Sequence, residues 1–445
     1  MTLINDIQVD LEASWALWMT ARNAQGKLTQ GETWRRQNPG EWDRLSRYVV
    51  GTGPRPTLAS ITGQKMLKEV DAMLKAKGGN GDQGGGGTPD PDFGTSLPER
   101  LPDSTGTNYY VSPSGSNSND GLSTGAPWLT IAHAYANVSL AGGIINLMDG
   151  THTADASDIT WTRDGNSDNP VTLRANPGDS PVVSGSRFLV SSGSYIRFHG
   201  FTATGSGSDG FKADVGSHHI EWDGMTISDC AMQGILLGAD GDQITDIQVW
   251  NTRITGAGDG VSADDQHGIY AKYIDGLVIA NCLIYDYQGY GIHFFASSGA
   301  IENAIVTCCT VDESWEDGGP VAFALTPLNI RMEGLLLTNS ISGYEGIRVW
   351  NATESGSVVA DCIAFDVTAP AFPTTQQGGG SSVYTQINNS TEDPDYVNAA
   401  TRDYHLQAGS PAIDNCAARP EWVPATDIDG DARVTADAGC FAYLP

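Results

Sequence analysis

Apolar and polar positions alternate in short phrases that recur through the centre of the chain. The clearest copies read Ile196-Arg-Phe198-His-Gly200, Ile220-Glu-Trp222-Asp-Gly224 and Ile247-Gln-Val249-Trp-Asn251. They return as Leu277-Val-Ile279-Ala-Asn281, Ala304-Ile-Val306-Thr-Cys308, Leu335-Leu-Leu337-Thr-Asn339 and Ser357-Val-Val359-Ala-Asp361. A period of two is that of a strand with one buried face. Each copy closes on Gly, Asn, Cys or Asp, small residues or side chains able to hydrogen-bond their own kind. The closing residues are separated by 24, 27, 30, 27, 31 and 22 positions. Strand-only repeats of that length predict a solenoid.

A second phrase follows most of the first ones at a similar offset: Gly210-Phe-Lys, Gly234-Ile-Leu, Gly268-Ile-Tyr, Gly291-Ile-His and Gly346-Ile-Arg. Two strand phrases per repeat describe one coil of a β-helix, with parallel pairing between coils and a continuous apolar core. Asn251 and Asn281 would occupy the sharp turn and stack through their amides. Earlier copies at Ile145-Asn-Leu147-Met-Asp149 and Val171-Thr-Leu173-Arg-Ala175 extend the period, so about nine coils are expected. No amphipathic stretch separates the strands, which argues against a βαβ arrangement.

These repeats resemble the right-handed parallel β-helix proteins of the pectate-lyase-like superfamily. The phrases Tyr109-Tyr-Val-Ser-Pro-Ser-Gly-Ser, Asn119-Asp-Gly121 and Ala126-Pro-Trp-Leu-Thr130-Ile131 look like the opening motif of its bacterial and phage members. There a short helix closes the first coil; here Thr130 can cap a helix through Val138 that buries Ile131, Ala134 and Val138. Asp403-Tyr-His-Leu406, Gly409-Ser-Pro-Ala-Ile-Asp414 and Asp427-Ile-Asp-Gly430 through Asp437-Ala-Gly resemble the closing segment. The resemblance spans about 107–445. It implies an all-β fold, a right-handed parallel β-helix solenoid, and leaves activity open, since the superfamily holds lyases, hydrolases, epimerases and binders.

The flanks divide the chain further. Residues 1–77 place Ile4, Ile7, Leu11, Trp15 and Trp18 at helical spacing, and Leu67, Val70 and Leu74 on one face of a second helix. They read as a small α-helical docking module for a virion or other assembly protein. Residues 78–106 form a Gly/Pro-rich flexible linker, 107–390 the β-helix with its helix cap, and 391–445 the closing segment. Met1 to Asp10 lacks a basic start and apolar run, so no signal peptide is expected. No membrane span is expected either.

The net charge is -29. Residues 1–77 carry 11 Lys and Arg against 8 Asp and Glu, leaving the remainder near -32. That acidity argues against a nucleic-acid partner for the body and leaves room for calcium, although no cofactor is certain. Asp427, Asp429 and Asp431 alternate like calcium-loop ligands, but Gly430 is misplaced and no Glu follows at the twelfth position. They read as a closing turn in which Arg433 pairs an acid. Seven cysteines without a CxxC make a zinc site improbable. Cys282, Cys308, Cys309 and Cys362 read as core thiols, while Cys416 and Cys440 would pair in an oxidising medium.

Strand alternation selects the candidate chemistry. With Ile269, Ile292 and Ile347 inward, Tyr270, His293 and Arg348 point to solvent in one column, and Lys272, Phe295 and Trp350 in the next. Nearby loops bring Asp259, Asp264, Asp265, Gln266 and His267, and Glu313-Ser-Trp315-Glu-Asp317. Tyr270, Phe295, Trp350, His267 and Trp315 would bind sugar rings, with cations gripping hydroxyls or uronates. The resemblance implies that a lyase would use Lys272 or Arg348 as base, with His293, Asp264 and Asp265 assisting and calcium neutralising a uronate. Asp259-Gly260, Asp264-Asp265 and His267-Gly268 echo polygalacturonase fragments, but they crowd into one loop. An ordinary solvated face remains open. The reading that best joins these features is a tail-associated, tailspike-like phage virion protein, capable of homo-oligomerising, that binds host cell-surface glycans. The alternatives are an extracellular polysaccharide lyase or glycoside hydrolase, and a structural decoration without ligand.

Overall fold

The computed structural model describes residues 96–444, apart from 140–141, 154–156, 215, 240–242, 260–265, 296–299, 315–317, 325–326, 341–343, 351–355 and 374–383. The expected helical module 1–77 and most of the linker lie outside the described residues, as do Asp264, Asp265 and Trp315.

The chain winds repeatedly through three parallel sheets of 11, 9 and 8 strands, here sheets 1, 2 and 3. One coil runs from Ile274–Ala280 in sheet 1 through Leu283–Tyr287 in sheet 2 to Ile292–Phe295 in sheet 3. A coil therefore has three strands, where two phrases were expected. Sheet 2 is hard to read because strands such as Thr202–Thr204 bury a single residue between two polar ones. Eight coils contain all three strands, since sheet 3 has 8. Two further sheet 1 strands, Ser357–Ala360 and Tyr384–Ile387, continue the stack.

In register, Ile247, Leu277, Ala304 and Ile330 face one another coil to coil. The sixth phrase is thereby corrected. Leu336–Ser340 belongs to sheet 2, and the sheet 1 strand of that coil is Pro327–Glu333, closing on Gly334. The irregular separations 31 and 22 become 26 and 27.

The closing residues share a physical cause. Gly200, Gly224, Asn251, Asn281, Cys308, Gly334, Asp361 and Asn388 all have positive φ, where Gly pays no Cβ penalty and Asn or Asp is tolerated. Asn281 Nδ2 donates to Asn251 Oδ1 at 2.8 Å, and Asn251 Nδ2 to Asp223 Oδ1 at 2.8 Å. The glycines of the second phrase have another cause. A Cβ on Gly291 would lie 2.2 Å from Val311 Cγ1 and 2.9 Å from Pro320 O, and one on Gly268 2.5 Å from Ile284 Cγ2. There the turn into sheet 3 presses directly on the apolar side chains of sheet 2.

The core is a continuous column including Phe198, Trp222, Ile247, Ile279, Phe294 and Phe323, all buried. Ile131–Asn137 closes its first end: Thr130 accepts a hydrogen bond from His133 N–H at 3.2 Å, and Ile131, Ala134 and Tyr135 are buried. This covers core and strand edges that a solenoid end would expose.

Two peripheral segments bind the walls. Residues 97–105, the end of the expected linker, form a strap along sheet 1. Leu97 packs on Trp250, Val278 and Ala280, and Gln248 Nε2 donates to Glu99 O at 3.0 Å. Arg100 reaches Glu221 at 3.0 Å and Asp223 at 2.5 Å, and Arg197 binds Asp103. Burial alone would raise the Asp223 pKa, but hydrogen bonding from His199 and the Arg100 charge hold it well below the carboxylate range.

The closing segment clasps sheets 1 and 2. Asp403–Leu406 pairs with Tyr396–Asn398, and Tyr404 Oη donates to the buried Asp312 carboxylate at 2.7 Å. Arg419 Nε donates to Glu333 at 2.8 Å and Arg331 stacks on Trp422 at 4.4 Å. Asp427 Oδ1 accepts N–H bonds from Asp429 and Asp431 at 3.0 and 2.9 Å, so it organises the closing turn. Arg433 does not pair an acid as expected: it donates to Gly439 O at 2.7 Å and Asn281 Oδ1 at 2.9 Å. Cys416 and Cys440 lie in different apolar clusters, which rules out the expected pairing in this arrangement. The described contacts of strap and closing segment fall on sheets 1 and 2.

Candidate functional site

On the outer face of sheet 3, Lys212, Leu236, Tyr270, His293, Ala322 and Arg348 occupy one column. Phe295, Ala324 and Trp350 occupy the next. Lys272 follows Ile269–Ala271 directly, its N–H donating to Leu237 O at 2.9 Å. The strand Val321–Ala324 stands between His293 and Arg348, so they are two coils apart, about 10 Å at the usual strand spacing. That coil escapes the glycine phrase because Pro320 stands at its turn.

The column builds a compact ring cluster. Tyr270 and His293 stack with centroids 4.9 Å apart at 9°. His267 meets His293 edge-on at 4.3 Å, Tyr290 lies 5.1 Å from His293, and Phe295 5.6 Å. Lys272 Nζ sits 5.6 Å from the Tyr270 centroid. Tyr344 joins the cluster to its cationic end: it meets Tyr290 edge-on at 6.1 Å and carries the Arg348 guanidinium at 4.1 Å.

Tyr270, Lys272, Phe295 and Arg348 are half-buried. His293 departs from the expected solvent orientation, being 5% exposed, and His267 is 2% exposed. Strand alternation puts His293 on the outer wall, but rings from neighbouring coils and turns cover it. Trp350 has its backbone at the strand end, and Asp259 is exposed at the margin of the acidic loop.

Hydrogen bonding sets the state of the two imidazoles. Tyr290 N–H donates to His267 Nδ1 at 2.9 Å, so the proton of neutral His267 is on Nε2. That nitrogen lies 2.7 Å from His293 Nδ1, which must accept, leaving the His293 proton on Nε2. Burial drives His267 well below the usual imidazole range, helped by the proximity of His293, and burial takes His293 down to about 3. With its Nδ1 lone pair occupied, His293 is an oriented donor, poorly suited to be a general base.

Sequence reasoning missed Tyr290 and Tyr344. Tyr290 shares the position before the second-phrase glycine with Asp209, Gln233 and His267, whereas Tyr344 stands two before Gly346 and has no such signal. Gln233 Nε2 there donates to Gln266 Oε1 at 3.2 Å. The face thus offers stacked rings with cations at two edges, suited chemically to a flat, hydroxylated or anionic ligand. Among the described residues no helix is long and apolar enough to cross a membrane.

Residues 182–326 match the family model described as a right handed beta helix region. A comparison with curated proteins finds no matching sequence. Among solved structures, the chain is similar to pectate lyase Pel9A at 19% identity and a TM-score of 0.56, covering 80% of this chain and 99% of that one. It is similar to a rhamnogalacturonan lyase at 15% identity and 0.46, covering 68% and 96%. It is also similar to ORF18 of Geobacillus virus E2 at 13% identity and 0.45, covering 65% and 62%. Likeness at such identities carries the fold alone. Topology, register and family match agree that the described residues form a right-handed parallel β-helix of pectate-lyase-like architecture.

Proposed function

We propose that this is a tail-associated phage virion protein whose sheet 3 wall binds an extended host-surface glycan. The observation that carries the glycan reading is the half-buried Tyr270 and Phe295 rings gathered with Lys272 and Arg348 around the Tyr270–His293 stack. Aromatic faces give stacking area to sugar rings, and the cations give charge-assisted hydrogen bonds to carboxylates or hydroxyls. The virion assignment rests on the plan the sequence suggests: an expected helical docking module over 1–77, a Gly-rich linker and an acidic solenoid.

Binding is favoured over cleavage because the His293 lone pair is engaged and the Arg348 guanidinium sits over the Tyr344 ring at 4.1 Å. The second reading is a polysaccharide lyase with Lys272 or Arg348 as base and with Asp264 and Asp265, outside the described residues, as the acids the sequence suggests. It draws on the fold shared with pectate lyase Pel9A.

The test is retention of the full-length protein on host envelope polysaccharides, with unsaturated products and new reducing ends monitored together. For binding, Tyr270→Ala and Arg348→Ala each weaken retention about tenfold, the equivalent of ~1.4 kcal/mol, and no product forms. For a lyase, Lys272→Ala or Arg348→Ala abolishes product while retention persists. Neither retention nor product, in wild type and variants alike, refutes both. The virion assignment requires the protein in purified native particles and its loss from them when residues 1–77 are deleted.

A further inference from the structure

The closing segment inserts a thiol into the ladder of left-handed turns. Gly334 follows Cys308 and precedes Asp361 in that ladder. A Cβ on Gly334 would stand 2.4 Å from Cys416 Sγ and 3.7 Å from Cys308 Sγ. The missing side chain therefore opens the place that Cys416 fills, and it gathers the Cys416 and Cys308 sulfurs around the same turn. Cys416 is held there by its neighbours. Its N–H donates to Ala436 O at 2.8 Å, Asn415 Nδ2 to Asp361 O at 2.5 Å, and Arg419 Nε to Glu333 at 2.8 Å.

We propose that Cys308 and Cys416 are a redox clasp, an intramolecular disulfide site that fastens the closing segment to the solenoid wall. The pair is differentiated for this chemistry. The neighbouring Cys416, aided by the Arg433 charge, outweighs burial and lowers Cys308 to about 7, while Cys308 and burial raise Cys416. The two sulfurs are pushed in opposite directions, Cys308 toward the form that attacks and Cys416 toward the thiol that resolves.

Hydrogen peroxide is the oxidant class that balances the step. Cys308 sulfur attacks one peroxide oxygen, the O–O bond breaks, and the departing hydroxide takes a proton to leave as water. Cys416 sulfur then attacks the sulfenic sulfur of Cys308, the S–O bond breaks, and a second water leaves. Two thiols are oxidised to one disulfide as one peroxide is reduced to two waters. The molecule carries its own comparison: Cys282 N–H lies 3.4 Å from Cys309 Sγ in the core, but burial holds Cys309 well above the usual range. Burial disfavours the Cys309 thiolate, and that inner pair is expected to stay reduced.

The full-length protein is treated with hydrogen peroxide, alkylated and mapped by mass spectrometry without reduction. The expected product is a single bridged peptide joining Cys308 and Cys416, reversed by dithiothreitol. Closing so long a loop raises the melting temperature of the oxidised protein by several degrees over the reduced protein. Cys416→Ser removes both the bridge and that difference. Cys308→Ser does the same, and the wild-type map decides alone should either variant fold poorly. Seven intact thiols, under conditions that oxidise the urea-unfolded protein, overturn the proposal. So does a Cys282–Cys309 bridge formed first.

Discussion

Acidification probes the buried imidazoles of sheet 3 most directly. Both are neutral in the fold because burial penalises the cation, and His293 stays so down to about 3. In the unfolded chain each takes up a proton near the ordinary imidazole value of 6.5. The folded pKa is the lower of the two, so the stability these groups confer is present above 6.5 and is lost as pH falls. Between pH 7 and pH 5 the loss is about 2 kcal/mol for His293, one and a half units at ~1.4 kcal/mol each. Urea unfolding of wild type and His293→Asn at both pH values isolates this amount, since every other titrating group cancels in the difference. Asn keeps an acceptor for His267 Nε2–H and cannot be protonated. The variant should therefore lose about 2 kcal/mol less than wild type on acidification. Nitrogen-detected NMR should in parallel show both imidazoles as Nε2–H tautomers without titration from pH 8 to 5. A midpoint near 6.5 for His293, or equal losses in the two proteins, refutes the relay.

Three further outcomes follow from the packing. Gly291→Ala forces a Cβ to 2.2 Å from Val311 Cγ1 and 2.9 Å from Pro320 O; overpacking, partly offset by reduced unfolded-state entropy, costs about 1–2 kcal/mol in urea unfolding, and a change below about 0.5 kcal/mol contradicts the argument. Tyr404→Phe removes a donor from Asp312, which keeps Thr338 and Asn339. The loss is about 1–2 kcal/mol, and limited proteolysis should release the closing segment before the coils; unchanged resistance counts against the clasp. Glu333 is raised to about 7 by burial and by the neighbouring Asp361 carboxyl, with Arg419 and Arg331 opposing. Its folded pKa exceeds the ordinary glutamate value of 4.5, so its contribution is full below 4.5 and is lost as pH rises through 7, up to about 3 kcal/mol. Glu333→Gln should remove that slope between pH 5 and 8, and an identical slope overturns the assignment.

What could be read in the sequence follows from how many residues each feature commits. Sheet 1 was legible because strands such as Ile244–Trp250 send several apolar residues inward and end on a left-handed residue of restricted type. Sheet 3 was legible through glycines that have no room for a Cβ. Sheet 2 was not, since Thr202–Thr204 commits only Ala203 to the core. Where Pro320 replaces glycine the phrase fails, and Leu335–Asn339 was assigned to the wrong wall. Within the site, alternation put Tyr270 and His293 in one column. It could not foresee that His293 is covered, because Tyr290 and Tyr344 arrive from turns whose path no periodicity specifies. The apposition of Cys308 and Cys416 depends on a fold-back that no local pattern encodes.

A solenoid presents three walls built by the same backbone rule, so function depends on which wall the rest of the chain has already used. Sheet 1 buries Arg197, Glu221, Asp223, Arg331 and Glu333 on its outer face, and buried charge is tolerated only when paired. Here the pairing comes from one another and from Arg100, Asp103 and Arg419 in the covering segments. Those charges are thereby committed to holding strap and closing segment. Along sheet 2, Arg253, Tyr285, Asp312 and Leu336 are committed in the same way, to Asp429, Arg402, Tyr404 and the apolar cluster of Cys416. Sheet 3 follows another logic at its ring cluster: Tyr270 stacks on His293, Tyr344 meets Tyr290, and Lys272 and Arg348 lie by rings, while Lys212 and Arg187 pair with acids of the same wall. Rings ordered by their neighbours have little rotamer freedom left to lose when a ligand arrives. That pre-organisation supports the proposal that this wall binds a rigid extended chain.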